Sequence, residues 1–480
     1  MTKANHTIVL SDLHLADAEP AHPKNPFWKR FKRPKLFIDR QFKKFLDFIC
    51  SHPEVNGPVE LVLNGDIFDF DSVTKLPNKG FYQVSWIEKR RGLHAEEGRS
   101  RFKMSVIMED HKVWMQALQE FVLAGNYVVI IVGNHDVELQ WPSVQQDFIN
   151  QLDLSEGFKE NVRFCEWFYI SNEDTLIEHG NQYDPFCVRS NPIHPLIKKG
   201  SKIFIRIPFG NLASRFLTNG IGLINPHADA NFLMGFKEYL VIFYKYWVRT
   251  QPLVFISWFW GAIATLSYSI IEELLPELKD PMTVENRVEE IATRSNATPY
   301  MVRSLFALKV HSATFNPLKI MRELWLDRAF LFLLICFVSF QFFTFIRLFF
   351  DVSFLWLIVP FFLLFPVFVF YSHSVKSDLV AAQKMAIQNA PLAAQMTKVN
   401  RVIHGHTHAE MHILYQGIEL INTGTWSPAY LDIECTKPYG KKCFAWIKPN
   451  ALGSGREALL GIWEDPTFSV LPAEKREEKA

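Results

Sequence analysis

Between Ala329 and Val375 the chain carries only two charged residues, with His neutral: Arg347 and Asp351. They stand between two uncharged runs, Ala329–Ile346 with 18 residues and Val352–Val375 with 24. About 20 helical residues cross the ~30 Å apolar core of a bilayer, so the pair reads as a transmembrane hairpin. A buried hairpin in a soluble core is the competing reading, and two adjacent runs this apolar argue against it. A third uncharged run, Leu253–Ile271, has 19 residues. Fifteen of the 43 Phe fall within residues 327–371, so the mean hydropathy of +0.02 averages two different materials.

The flanking material reads as α/β. Thr7–Leu10 is a short buried strand that ends in Ser11-Asp12-Leu13-His14. Leu61-Val62-Leu63 ends in Asn64-Gly65-Asp66, and Tyr127–Val132 ends in Gly133-Asn134-His135-Asp136. Thr175-Leu176-Ile177 precedes Glu178-His179-Gly180. Far downstream, Val402-Ile403 precedes His404-Gly405-His406-Thr407-His408, and Ile418–Ile421 precedes Asn422-Thr423-Gly424-Thr425-Trp426. Residues 35–50 place Ile38, Phe42, Phe45, Leu46 and Ile49 on one helical face, and 103–124 are helical in pattern. In open α/β sheets, sites assemble at the C-terminal ends of strands.

Eight metal-compatible side chains fall at these strand ends: Asp12, His14, Asp66, Asn134, His135, His179, His406 and His408. A single His or Asp in a loop is usually a surface or capping residue; eight at successive strand ends are not explained that way. Mixed carboxylate and imidazole ligands suit Mn, Fe, Co, Ni or Zn better than Mg or Ca. Two such ions a few ångströms apart suit hydrolysis of a phosphate ester.

The blocks Asp12-Leu13-His14, Gly65-Asp66-Ile67-Phe68-Asp69, Gly133-Asn134-His135-Asp136, His179-Gly180 and Gly405-His406-Thr407-His408 resemble, in order, those of the calcineurin-like metallophosphoesterase superfamily. The likeness covers roughly residues 6–190 and 395–450. It implies an α/β fold, a four-layer αββα sandwich, with two divalent ions, Mn foremost and Fe, Zn, Co or Ni as alternatives. By the same resemblance Asp12, His14 and His408 hold the first ion. Asn134, His179 and His406 hold the second, and Asp66 bridges both. His135 stabilises the transition-state charge or protonates the leaving oxygen, Asp136 orients His135, and Asp69 and Asp71 support the loop. Asn64–Phe70, His179–Asp184 and Ile421–Trp426 look like the branch containing UDP-2,3-diacylglucosamine diphosphatases, which act on a lipid-linked UDP-sugar. The chain departs from that branch at His135, where the branch carries Arg, and in its longer segment after His179.

Motif order therefore gives one catalytic domain interrupted once: residues 1–190, an all-α cap over 191–394, residues 395–470, and a charged, solvated tail over 471–480. Metal residues on both sides of the cap must meet on one side of the membrane, so the number of complete crossings is even. The 329–346/352–375 pair is the natural hairpin, with 253–271 interfacial, re-entrant or packed against it. Residues 232–247 read as an amphipathic surface helix because of Lys237, Glu238 and Lys245. Lys198, Lys199, Lys202, Arg206, Lys237, Lys245, Arg249 and Lys376 lie on the catalytic side, which predicts a cytoplasmic catalytic domain. Residues 283–327 predict a helical hairpin in the lid. Residues 27–35, with five basic residues among aromatics, fit either a contact with anionic lipid heads or a solvated loop.

A balance of 51 Lys+Arg against 50 Asp+Glu excludes a general nucleic-acid binder. Six Cys without a CxxC pair read as free thiols in a reducing compartment. The first residues show no signal peptide, which places the start of the chain in the cytoplasm. The expected partners are a lipid bilayer and a phosphorylated, lipid-linked substrate. The alternatives are a phosphodiesterase acting on a soluble nucleotide or other diester, and a non-catalytic membrane assembly protein.

Overall fold

The computed structural model describes residues 4–78, 83–223, 225, 227, 241–248, 251–278, 283–375, 377–451 and 455–475. Two sheets dominate it. The first has seven strands in the order β14-β13-β12-β1-β2-β3-β4: β1 His6–Leu10, β2 Val59–Asn64, β3 Tyr127–Ile131, β4 Val162–Cys165, β12 Cys443–Pro449, β13 Arg456–Trp463 and β14 Phe468–Leu471. Strands β1 to β4 run parallel, and β12 to β14 add antiparallel. The second sheet has the order β15-β10-β11-β9-β6-β5, from β5 Phe168–Ser171, β6 Thr175–Glu178, β9 Arg401–His404, β10 Met411–Tyr415, β11 Ile418–Asn422 and β15 Glu474–Lys475.

Residue alternation explains why the strands read as unbroken apolar runs. Val9, Val62, Val129 and Ile131 join Ile177, Ile403 and Ile421 in a core between the sheets. Their neighbours Ile8, Leu10, Leu61, Leu63, Val128 and Ile130 face the other way, into a helix-covered core. A strand covered on both faces needs apolar side chains at every position. The helices over the first sheet are α1 Asp39–Ser51, α2 Glu97–Asp110, α3 Lys112–Leu123 and α4 Pro142–Gln151. They contribute Phe42, Phe45, Met104, Trp114, Leu118 and Phe148 to that core.

The segment between the two catalytic halves is not all-α. Strands β7 Leu196–Lys199 and β8 Lys202–Ile205 form a hairpin turned by Gly200 at φ 62°. Ile197 and Ile205 are both buried, on opposite faces of the hairpin because Ile197 pairs with Phe204 and Leu196 with Ile205, so this stretch is strand where an all-α cap was expected. Next come α5 Phe209–Ala213, which continues as a π-helical turn, Ser214–Thr218, and α6 Val254–Leu274. Helices α7 Val284–Arg294 and α8 Pro299–Leu308 form the expected helical hairpin, but not as a lid. With α11 Leu379–Thr397 they cover the outer face of the second sheet, where Val288, Ile291, Val302, Leu305, Ala390 and Ala393 meet Phe168, Ile170, Leu176 and Val402. The described part of the tail also departs from a free end, since β15 pairs with β10. The amphipathic-helix reading lies outside the described residues over 232–240, as do Lys237, Glu238, Arg249 and Lys376.

Among the described residues three helices are long and apolar enough to cross a membrane: α6, α9 Leu326–Arg347, and the continuous Phe354–Ser374 helix whose α-helical part is α10 Ile358–Ser374. Helices α9 and α10 lie antiparallel, with Phe343 against Phe354 near the turn and Phe332 against Phe368 towards the open end. At the open end Tyr371 Oη donates to Asp327 Oδ2 at 2.7 Å and Arg328 to the Val375 carbonyl at 3.0 Å. Much of the pair's outer surface is apolar and exposed; Leu363 is 74% and Phe370 77% exposed. Helix α6 differs. One face packs inward through Gly261, Ala264, Thr265 and Ser269, while Phe255, Ile256 and Ile263 stay exposed. Phe259 touches Phe330 of α9 at 6.0 Å between ring centroids.

The basic segment 27–35 is only partly a surface. Lys29 and Lys32 are buried, and Lys32 forms an ion pair with buried Asp17 while donating to the Ser72 carbonyl. Burial opposes the Asp17 charge, but the Lys32 ammonium outweighs it and holds the carboxyl below its ordinary range. A depressed carboxylate stabilises the fold above its unfolded pKa of about 4 and loses that contribution as pH falls through the folded value. Asp17→Asn leaves the Lys32 charge unpaired, so a loss of ~3 kcal/mol is expected at pH 6. The gap to the wild type should narrow as pH drops below about 4; thermal melts across pH in detergent measure it.

Candidate metal centre

Parallel pairing puts the C-terminal ends of β1, β2 and β3 at one edge, and parallel β6, β9 and β11 deliver theirs to the same place. Backbone bonds stitch the loops together. Asp12 N donates to Gly65 O at 3.1 Å, His14 N to Asp66 O at 2.9 Å, and Gly405 N to His179 O at 3.0 Å. Across the sheets, His406 N donates to Asp12 Oδ2 at 3.1 Å. Two glycines are required by close approach: a Cβ at Gly133 would fall on the Asp66 carboxylate, and one at Gly405 would meet Asp12 Oδ2 at 2.6 Å. Asp12, His14, Asp66, His406 and His408 all have positive φ, between 50° and 66°. Each such residue costs on the order of 1–3 kcal/mol, and strain of this kind concentrates at functional sites.

Among the described residues four groups bring candidate ligand atoms within 4.8 Å of one another: Asp12 with His14 and His408, Asp66 with His179 and His406, His14 with Asp69 and His135, and Asp184 with Cys187 and His406; the first two match the expected ligand sets. In the first, His408 Nε2 lies 3.2 Å from both Asp12 Oδ1 and His14 Nε2. In the second, His179 Nε2 lies 3.1 Å from Asp66 Oδ2. His179 Nδ1 donates to the Asn64 carbonyl at 2.9 Å, which fixes the tautomer with the Nε2 lone pair toward the carboxylate. Two lone pairs facing each other require a cation or a second proton between them. Burial opposes a charge on His179, yet Asp66 and Asp12 outweigh it and push its pKa up to about 9. Asn134 Oδ1 is buried without a hydrogen-bond partner, which costs about 1–3 kcal/mol unless something else takes it. These donors fit divalent ions, and borderline ones in particular.

Asp66 falls in the second group, and its Oδ1 accepts from His135 N at 2.7 Å. His135 stands beside both groups. Its Nδ1 is 3.3 Å from Asp69 Oδ1 and 3.6 Å from Asp71 Oδ2. Burial disfavours the imidazolium, but Asp69 and Asp66 outweigh it and push the pKa up to about 10. The expectation that Asp136 orients His135 is incorrect. The Asp136 carboxylate turns away to accept from Gly133 N at 2.5 Å and Ile67 N at 2.9 Å. It braces the two metal loops, and Asp69 takes the orienting place. Asp69→Asn is expected to cut kcat about 10–100-fold. A general acid loses activity as pH rises through its pKa, and removing the carboxylate lowers that pKa. The alkaline limb of the pH–rate profile should therefore move to lower pH.

Two residues went unsignalled in the sequence. His227 stacks on His14 at 4.0 Å between centroids, with Nε2 3.4 Å from Asp69 Oδ2. Asn211, on α5, contacts Asn134 and Asp71. Both come from the insertion, where no spacing or motif marks them.

Residues 6–206 match the calcineurin-like phosphoesterase family. The chain thus carries a calcineurin-like phosphoesterase domain over that stretch, a class that hydrolyses phosphoesters with divalent metals. The matched stretch holds Asp12, His14, Asp66, Asn134, His135 and His179. His406 and His408 lie beyond it and complete the two groups through the second sheet. No curated protein matches the chain.

Proposed function

We propose that this chain is a membrane-associated, two-metal phosphoesterase that hydrolyses a phosphate ester or diphosphate of a lipid-linked substrate, from the cytoplasmic side. One observation carries the lipid reading: the site and the apolar surface are one helix apart. Asn211 of α5 touches Asn134, and α6 packs on the turn that follows α5, where Gly261 lies so close to the Phe216 carbonyl that a Cβ would meet it at 2.5 Å. The far face of α6 is exposed and apolar, and its Phe259 joins α9. A lipid headgroup held at that surface would have its phosphate near the strand ends.

Asp12, His14 and His408 would hold one ion, and Asn134, His179 and His406 the other, with Asp66 between them. Such ions supply Lewis acidity to phosphate oxygens and lower the pKa of water. His135, kept protonated by Asp69, holds a proton for the leaving oxygen. Exposed Lys198, Lys199 and Lys202, on a hairpin that bonds to residues 276–278 just after the C-terminal end of α6, favour the cytoplasmic side.

Detergent-solubilised protein with Mn(II) and a substrate panel tests this. Turnover should vanish with a chelator, return with Mn(II), and favour acylated phosphates and diphosphates. Equal turnover of soluble diesters would sink the lipid reading, and no turnover of any phosphoester would sink the enzyme.

A further inference from the structure

We propose that Asn211, on the insertion, is a positioning residue that sets the carboxamide of Asn134 with its oxygen facing the second ion. The inference rests on the metal-centre reading above. Asn211 is fully buried. Its Nδ2 donates to the Asn134 backbone carbonyl at 2.9 Å and to Asp71 Oδ2 at 2.6 Å. A backbone carbonyl only accepts, so the Asn211 amide has a single workable orientation. Its Oδ1 must then face Asn134, and it accepts from Asn134 Nδ2 at 3.3 Å. That bond in turn leaves the Asn134 oxygen as the free end of its amide, the buried atom without a hydrogen-bond partner. With Asn134 flipped, its NH2 would face the cation and its oxygen would face the Asn211 oxygen, so both contacts would be repulsive. Two amides in series thus convert the docking of α5 into the orientation of one ligand.

The same helical segment supplies a control. Asn219 is buried as well, and its Nδ2 donates to the Asp71 and Arg91 carbonyls at 2.8 and 3.1 Å without a bond to Asn134. Mn(II) binding to the full-length, detergent-solubilised chain is measured by calorimetry for the wild type, Asn211→Leu, Asn219→Ala and Asp12→Ala. Asn211→Leu keeps the branched shape and side-chain heavy-atom count and removes the hydrogen bonds; Asn211→Ala stands in if the Leu variant fails to fold. Asn211→Leu should weaken the second ion about 10–100-fold and leave the first within about threefold, while Asn219→Ala leaves both sites near wild type. An unchanged two-site isotherm for Asn211→Leu overturns the proposal and spares the metal centre. Equal weakening by Asn219→Ala also overturns it, because docking of the helix, not the amide, would then be responsible. A wild type that binds no Mn(II), or an Asp12→Ala variant that still binds two ions, removes the metal-centre reading and this inference with it.

Discussion

Asp66→Ala is expected to lower kcat/KM by about 10³-fold or more, ~4 kcal/mol of transition-state stabilisation. Its side chain ties one candidate ligand to the histidine beside both groups. Asp66 Oδ2 faces His179 at 3.1 Å, and Oδ1 accepts from His135 N at 2.7 Å. Its charge also supports the protonated form of His135. Without the carboxylate, the second group keeps only His179 and His406 of its charged or imidazole members, and His135 loses the bond that holds its backbone. Metal analysis should find fewer than two ions per chain. A variant that retains near wild-type turnover and two ions would show that Asp66 is not part of the centre.

The largest stability effect is expected from Lys103→Met. Lys103 and Glu138 are both about 1% exposed and form an ion pair, and the ammonium also donates to the Leu93 carbonyl at 3.3 Å. Removing the cation leaves a buried, unpaired carboxylate two residues beyond the Gly133–Asp136 loop. Breaking such a pair costs about 3–5 kcal/mol. Replacing both residues, as Lys103→Met with Glu138→Leu, should recover most of that loss, because the desolvation of two charges goes with them. Thermal unfolding of the single and double variants in detergent measures the difference. A double variant no more stable than the single one would mean that the ion pair is not the source of the loss.

The strand-end residues were legible because chemistry and topology coincide there: a parallel strand that stops at Asp12, Asp66 or Asn134 delivers that side chain to the shared edge. The uncharged runs were legible because hydropathy needs no partner to be read. What stayed hidden depends on direction and on what packs against what. Asp136 adjoins His135 in sequence, yet its carboxylate serves the amides of Gly133 and Ile67, and Asp69, arriving from another strand end, reaches the imidazole instead. The periodicity of residues 284–308 announces a buried face but not the sheet that buries it. Asn211 and His227 occupy a stretch without periodicity or motif, and only folding brings them to the ligands.

The helices over the second sheet bear on how such a protein can be released or remodelled. Helices α7 and α8 precede the α9–α10 pair in sequence and α11 follows it, so on the proposed membrane reading a single proteolytic cut would not free a folded hydrolase from that pair. Excising residues 191–394 would bare Phe168, Ile170 and Leu176 to water. A loss confined to α9 and α10 would leave the sheet covered. If α9 and α10 sit in a bilayer as proposed, shedding would be closed to this architecture, and its activity would stay where the pair sits.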